Sequence, residues 1–134
     1  MKKYLLDTNI CIYILRNFPQ IVKENLQKHK DDEIYISAFT IAELFYGLEK
    51  GKFSQAHIEA THKLIYSFKV VDFGIKEAQI YANIRANLEK NGSVIGAMDT
   101  LIASVALANE LTIVTNNEKE FERVPYLKIE NWTK

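Results

Sequence analysis

Five short runs of β-favouring, mostly apolar residues alternate along the chain with segments of helical period. The runs do not alternate strictly between polar and apolar residues, which is typical of strands covered on both faces. Strands separated by helices favour crossover connections and therefore a mostly parallel sheet. The sequence predicts an α/β fold with a central, mostly parallel five-stranded sheet flanked by helices on both faces. The predicted strands are residues 4–6, 34–36, 70–73, 112–115 and 127–129.

Apolar residues recur three and four positions apart in the segments between these runs, as on one face of a helix. Gly51 suits the end of one such helix and Pro19 suits the first turn of another. The predicted helices cover residues 19–29, 38–48, 77 to about 91, and 101–108.

The chain is expected to form one domain, residues 1–134, because its length is near the commonest domain size. The single cysteine, Cys11, excludes an internal disulfide and fits a reducing compartment. Asp7 comes too early for a secretory signal, and no apolar run approaches the length of about 20 residues needed to cross a bilayer. We therefore expect a cytoplasmic protein with no membrane partner.

The formal net charge is zero, with 17 Lys and Arg against 17 Asp and Glu. Proteins that bind nucleic acid usually carry a basic excess. The balance argues against a broad, sequence-blind coat for RNA. It leaves room for a compact site whose affinity comes from local contacts.

Three carboxylates occupy positions that could be explained either by a functional site or by the local structure. Asp7 follows the first strand and precedes a helix, so it either caps that helix or faces a ligand at the sheet edge. Glu43 lies among large apolar residues with no basic neighbour within helical reach, so it is either solvated or part of a site. Asp99 opens a strongly apolar helix and is either its N-cap or a site residue.

The three acids are harder to explain by structure when they are considered together. Two follow strand or loop ends and one lies on a helix between them, so a crossover fold would bring them to one cleft. Clustered carboxylates resist ionisation unless a cation neutralises them. Oxygen ligands favour Mg²⁺ or Mn²⁺ over zinc, and such an ion would activate a water and stabilise charge on a phosphoryl oxygen.

The polar turn after the fourth strand holds two further candidates. Asn117 either forms the turn or orients water at the same edge of the sheet. Glu120 is favoured as a solvated acid, with an outer role at the metal site as the alternative. Arg85 is either solvated or in contact with RNA or a partner. The three histidines lack ligand spacing and are interpreted as surface residues.

Four short motifs resemble the PIN domain family. Each alone is weak, but the four occur in the family's order across almost the whole chain, which makes the resemblance specific. Within that family the chain is most similar to the VapC-like toxins of type II toxin–antitoxin systems. The motifs are YLLDTN at 4–9, AELFYGL at 42–48, IGAMDTLIA at 95–103 and VTNN at 114–117.

This resemblance implies an endoribonuclease that depends on Mg²⁺ or Mn²⁺ and hydrolyses RNA phosphodiesters with a metal-activated water. Asp7, Glu43 and Asp99 match the family's three core acids. Asp7 and Asp99 are expected to be the principal metal ligands, with Glu43 completing the cluster. Asn117 stands where relatives often carry Asp, so one potential charge is missing. Glu120 lies near a position where relatives often place an acid.

The resemblance also implies partners. A cognate VapB-like antitoxin is expected to place its C-terminal segment in a groove near the acidic site. Relatives cut structured RNAs, often transfer RNA, and many pair as homodimers through helical faces. The aromatic residues Phe39, Phe45, Tyr46 and Phe53 suit either of these protein contacts, and core packing explains them equally well.

Two alternative functions stay open at this point. One is a PIN nuclease of RNA processing, or a catalytically silent module, with the same fold. The other is a receiver-type phosphoacceptor domain in which Asp72 accepts the phosphoryl group. The receiver alternative lacks paired acids near the first strand, because Asp7 is followed by Thr8 and Asn9.

Overall fold

A five-stranded sheet forms the centre of the protein in the computed structural model, which describes residues 1–134. The strands lie in the order β3-β2-β1-β4-β5, and every neighbouring pair is parallel. The prediction of an α/β fold around a five-stranded parallel sheet is confirmed. The strands are β1 (Lys3–Leu6), β2 (Glu33–Ser37), β3 (Lys69–Val71), β4 (Thr112–Val114) and β5 (Ile129–Glu130).

Seven helices connect and cover the strands. None of them is both long enough and apolar enough to span a membrane. They are α1 (Thr8–Arg16), α2 (Gln20–Lys28), α3 (Ala38–Lys50), α4 (Gln55–Ser67), α5 (Ile75–Lys90), α6 (Ala97–Ala108) and the short α7 (Glu118–Phe121).

Alternate residues of the central strand β1 face two separate cores. Leu5 packs in a core with residues of α5 and α6, whereas Tyr4 and Leu6 pack in another with residues of α1 and α4. All three β1 side chains are fully buried. A strand buried on both faces has no solvent side to carry polar residues. This explains the unbroken apolar run and confirms that helices cover both faces of the sheet.

The order in which successive strands are added to the sheet reverses at β1. The first crossovers lead from β1 to β2 and β3, and a later one brings β4 to the other side of β1. The backbone N–H of Asp7 donates to the Val114 carbonyl at 3.0 Å, so the ends of β1 and β4 lie side by side. Ligands of open parallel sheets bind outside the carboxyl ends of the strands at such a switch point.

The two outer strands differ from their predicted bounds. β3 begins at Lys69 and ends at Val71, so Asp72 lies beyond the strand. β5 begins at Ile129 and continues to Glu130, later than predicted. Both strands lie at the edges of the sheet and pair on one side only. Their apolar pattern therefore specifies the bounds and the pairing register less well than that of the central strands.

The helices are confirmed where their apolar periodicity is strong. Pro19 occupies the N-cap of α2 rather than its first turn. Helix α4 was not predicted, because its buried face contains only two large apolar side chains, Leu64 and Ile65, beside Thr61. Helix α3 ends at Lys50 with Gly51 as its C-cap, as expected.

Candidate active site

Asp7 lies directly after β1 and caps α1. Its Oδ1 accepts a hydrogen bond from the backbone N–H of Ile10 at 2.9 Å, and the residue is only 4% exposed. The capping alternative is therefore correct, and it does not exclude a site role. The same carboxylate also lines a cavity at the carboxyl edge of the sheet.

That cavity has a volume of about 270 Å³ and brings Asp7, Glu43 and Asp99 together. No lysine or arginine lines it, so the carboxylates face one another without a positive side chain in the wall. This cavity is called the acidic cavity below. Its remaining lining residues are Thr8, Asn9, Ile12, Tyr46, Met98 and Ile102.

Glu43 is oriented by a chain of hydroxyl groups. The Thr8 hydroxyl donates to Glu43 Oε1 at 2.5 Å, and the Thr8 and Thr40 hydroxyl oxygens are 3.1 Å apart. Because the Thr8 proton is used on Glu43, Thr40 donates to Thr8. Thr40 in turn accepts from the Ser37 hydroxyl at 3.4 Å, and both Ser37 and Thr40 are fully buried. A half-buried Glu43 with such partners is not simply a solvated acid.

The sequence analysis missed these hydroxyls as site residues. Ser37 is recognisable as the N-cap of α3, since its Oγ accepts from the backbone N–H of Thr40 at 3.1 Å. Thr8 adjoins Asp7 in the first motif. Its link to Glu43 depends on the packing of α1 against α3, which no local pattern reveals.

Asp99 lies in the first turn of α6, three residues after the N-cap Gly96. The alternative that Asp99 itself caps the helix is wrong. A carboxylate in a first helical turn is favoured by the exposed backbone N–H groups and the helix dipole. Asp99 also lies within hydrogen-bonding reach of Glu120. Glu120 Oε1 in turn accepts the backbone N–H of Gly96 at 3.0 Å.

Asn117 lies outside the wall of the acidic cavity and contacts Glu120 instead. Its side-chain amide donates to Glu120 Oε2, and its backbone N–H donates to the Thr115 hydroxyl at 2.9 Å. Asn117, Glu120 and Asp99 thus form a hydrogen-bonded chain at the edge of the site. Glu120 is more deeply involved than a solvated acid, which is a correction to the sequence interpretation.

Arg85 and Asp72 do not line the acidic cavity. Arg85 is exposed on α5, where it bonds to Tyr81 and Glu89 on its own helix. Asp72 lines a different cavity from Asp7, together with Lys3 and other residues near β3. A receiver domain would need Asp72 and Asp7 around one metal site, so this separation argues against that alternative.

Burial dominates the electrostatics of the site. It raises the pKa of Asp7 from 3.8 to about 6, and the negative charge of Glu43 adds to the rise. The Thr115 side chain and the backbone N–H of Ile10 lower the same pKa. An ionised Asp7 is therefore costly in this cavity unless a positive charge is near.

Asp99 and Glu120 titrate as a pair. Burial raises the pKa of Asp99 to about 7, and its hydrogen bond with Glu120 is the next cause. The same hydrogen bond is the main reason that the pKa of Glu120 is lowered. Asp99 is therefore the member of the pair that binds a proton more readily, and Glu120 is the member that ionises more readily.

The residues present fit a hard divalent cation in donor type and in charge. All the donors are oxygens, and the ionised forms of Asp7 and Asp99, which burial makes costly, would be stabilised by a nearby cation. No three His, Cys, Asp or Glu side chains are close enough here to ligate one ion.

A parallel α/β sheet with a carboxylate-lined cavity at its switch point defines a class of protein, the enzymes that act on phosphate esters with a divalent cation. The model of the PIN domain family matches residues 4–127. The chain belongs to the PIN domain family, and within it to the VapC ribonucleases. PIN ribonucleases generally depend on a divalent metal ion.

Two relatives and one solved structure support this assignment. Ribonuclease VapC2 of Rickettsia felis is 41% identical over 132 residues, which cover 98% of each chain. The tRNA(fMet)-specific endonuclease VapC of Salmonella typhimurium is 36% identical over 98% of this chain and 99% of that relative. The crystal structure of VapBC2 from Rickettsia felis, bound to a fragment of promoter DNA, matches 96% of this chain with a TM-score of 0.89 and 39% identity, covering 98% of the matched chain.

The resemblance to VapC-like PIN nucleases is thereby confirmed, and ribonuclease activity with it. The receiver alternative is excluded by membership of the PIN family.

Proposed function

We propose that this protein is a Mg²⁺- or Mn²⁺-dependent endoribonuclease and the toxin component of a type II toxin–antitoxin system, with residues 1–134 acting as one PIN domain. One observation carries the catalytic part of the proposal. Asp7, Glu43 and Asp99 line a single cavity whose wall contains no lysine or arginine. A cation there would stabilise the ionised forms of Asp7 and Asp99, whose pKa values are raised first by burial and further by neighbouring carboxylates.

Asp7 and Asp99 are the residues proposed to hold the cation, and Glu43 completes the carboxylate set. When bound, Mg²⁺ or Mn²⁺ supplies activation of the attacking water and neutralisation of the charge that builds on the phosphoryl oxygens. Asp7 is well suited to the role because its bond to the Ile10 N–H fixes its rotamer. Asp99 would hold the cation in its ionised form, which its raised pKa makes costly unless a positive charge is near.

Glu43 is held at one oxygen by Thr8, which leaves Oε2 to accept a hydrogen bond from water or substrate. The buried hydroxyls of Thr40 and Ser37 keep Thr8 in its donating orientation. Asn117 and the backbone N–H of Gly96 occupy both oxygens of Glu120. Glu120 and Asn117 are therefore proposed as positioning residues that act through Asp99.

RNA is the proposed substrate, and transfer RNA is the first class to test. The relative from Salmonella typhimurium, whose name specifies tRNA(fMet), aligns over nearly the whole chain. The acidic cavity lies at the edge of the sheet, and no lysine or arginine lines it. Recognition by local contacts to an exposed loop suits such a site better than recognition of a regular duplex.

A VapB-like antitoxin is the proposed protein partner, and a groove beside the active site suits its C-terminal segment. The groove has a volume of about 150 Å³ and lies between α1, α3 and α4, with apolar residues such as Ile12, Leu48 and Phe53 in its wall. It shares Glu43 with the acidic cavity. A peptide seated there would place its neighbouring residues against the carboxylates. A homodimer formed through helical faces is also proposed.

The experiment that tests this function is expression of the chain alone and together with the small gene adjacent to its own, followed by sequencing of RNA 5′ ends. We expect growth arrest and new 5′ ends from the chain alone, and neither when the partner is present. The Asp7→Asn variant is the matched control and should generate no new ends.

Other outcomes discriminate between the alternatives. Cleavage of RNA without growth arrest, unaffected by the adjacent gene product, would favour a PIN nuclease of RNA processing. An absence of cleavage by the purified protein in both Mg²⁺ and Mn²⁺ would overturn the catalytic proposal.

A further inference from the structure

Three side chains of different chemistry form a line along α3 that leads out of the acidic cavity. Glu43, Tyr46 and Lys50 are spaced three and four residues apart, so they share one face of the helix. Glu43 and Tyr46 both line the cavity. The Lys50 Nζ lies 5.9 Å from the centre of the Tyr46 ring.

Tyr46 is not part of the core. It is 65% exposed, whereas the buried residues of α3 are Thr40 and Leu44 on another face. Core packing, one of the explanations for the aromatic residues of this segment, therefore does not apply to Tyr46. An exposed ring in the wall of a charged cavity is a large apolar surface left in contact with water.

Because carboxylates line the cavity, RNA binding there requires a source of affinity other than attraction to basic side chains. A substrate phosphodiester approaches three carboxylates here, and no lysine or arginine lines the wall. The chain as a whole has no net positive charge to compensate. A bound cation offsets the negative charge of the carboxylates, but it does not bind the nucleotides that flank the scissile bond.

We propose that Tyr46 is the platform on which the base of a nucleotide next to the scissile phosphate stacks, so that the substrate is held as an unpaired strand along α3. This inference rests on the proposed ribonuclease function. Met98, 37% exposed, supplies a second apolar side chain of the same cavity wall. Lys50, whose Nζ lies over the Tyr46 ring, would then meet a phosphate of the same strand.

The stacking role follows from general properties of nucleic acids. Every base has a π-face, so an aromatic platform holds any sequence, and its removal typically weakens binding about 5- to 150-fold. A base can stack on a protein ring only when it has left its own helix. Tyr46 therefore selects for single-stranded segments such as loops rather than for a particular base.

Two eight-residue probes of equal charge test this directly. One is a single-stranded adenylate oligoribonucleotide and the other is the matching ribose-phosphate strand without bases. Dissociation constants are measured by fluorescence anisotropy in EDTA, so that no hydrolysis occurs. Initial rates on transfer RNA in Mg²⁺ provide the second readout, with kcat and KM determined separately.

Four proteins are compared in these assays. Tyr46→Ala should raise the Kd for the adenylate strand at least fivefold, leave the Kd for the base-free strand unchanged, and lower kcat/KM mainly through KM. Tyr46→Phe keeps the ring and should stay within about twofold of wild type. Tyr66→Ala removes a tyrosine of α4 that is even more exposed, at 79%, and does not line the acidic cavity, and it should match wild type.

Several results would overturn the proposal. These are a wild-type protein that does not distinguish the two strands, a Tyr46→Ala variant with unchanged affinity for adenylate, or a Tyr46→Phe variant as impaired as Tyr46→Ala. Unchanged RNA affinity would assign the ring to a protein contact instead. If the wild-type protein cleaves no RNA in Mg²⁺, the ribonuclease proposal fails; if it cleaves and Tyr46→Ala is unaffected, only the stacking role fails. Circular dichroism confirms that each variant is folded.

Discussion

Replacement of Asp7 by Asn should separate activity from stability. The side chain keeps its shape, and Asn caps a helix about as well as Asp, so the bond to the Ile10 N–H is retained. The negative charge in the acidic cavity is lost. We therefore expect Asp7→Asn to abolish RNA cleavage and, in the absence of metal at alkaline pH, to unfold less readily than the wild-type protein.

The size of this stabilisation follows from the pKa of Asp7. Folding raises that pKa from 3.8 to about 6, so the folded state holds the proton more tightly than the unfolded chain does. The associated stability is fully present below pH 4 and is lost as the pH rises through about 6. The difference between the two pKa values, at about 1.4 kcal/mol per pH unit, corresponds to about 3 kcal/mol at pH 8.

Asn does not ionise and therefore does not suffer this loss. The variant should exceed wild type by about 3 kcal/mol in free energy of unfolding at pH 8, or roughly 10 °C in Tm for a domain of this size. At pH 4 the difference should fall below about 1 kcal/mol. Urea titrations in EDTA at both pH values, followed by circular dichroism, measure it.

Mg²⁺ provides a second arm of the same experiment. At a hundredfold excess over its Kd, the ion should stabilise wild type by about 2.7 kcal/mol and should leave Asp7→Asn almost unaffected. Asp32→Asn is the matched control, because the pKa of Asp32 is lowered by its hydrogen bond with His29, and this variant should gain no stability at pH 8. An Asp7→Asn protein no more stable than wild type at pH 8, or a difference that is equal at both pH values, would refute the reasoning.

Three further predictions concern the groups around the carboxylates. Thr8→Val removes the hydroxyl that donates to Glu43 and should lower kcat/KM about tenfold or more, whereas Thr8→Ser should retain activity; equal activity of the two variants would contradict the orienting role. Glu120→Gln removes the charge beside Asp99, which should lower the pKa of Asp99 and move the acidic limb of the pH–rate profile about one pH unit lower. An acidic limb at the wild-type pH would exclude the coupling between the two carboxyl groups. EDTA should abolish cleavage, and either Mg²⁺ or Mn²⁺ should restore it; activity that survives thorough chelation would argue against metal dependence.

The fold was predictable because the central strands are buried on both faces. Residues 4–6 and 113–114 are fully buried, so their apolar runs and the helices between them leave few arrangements other than a parallel sheet. The edge strands and α4 were less predictable. The edge strands pair on one side only, and the buried face of α4 has only two large apolar residues. The apolar pattern of these segments is therefore weak.

The three acids could be found from the sequence because each stands in a recognisable motif, but their surroundings could not. The bond between Gly96 and Glu120 joins residues 24 positions apart, and only the packing of α6 beside α7 brings them together. The hydroxyl chain that leads to Glu43 likewise crosses from α3 to α1. Such contacts depend on the relative placement of whole elements, which local periodicity does not specify.

The position of β1 in the sheet bears on the order of events during translation. β1 is made early in synthesis, yet it is the middle strand, and its partner on one side arrives only with residues 112–114. Asp99 and Glu120 reach the site through the same late segment. A growing chain therefore carries Asp7 and Glu43 for most of its synthesis without a complete cavity. The complete cavity can therefore form only after the segment that contains Asp99 and Glu120 has left the ribosome.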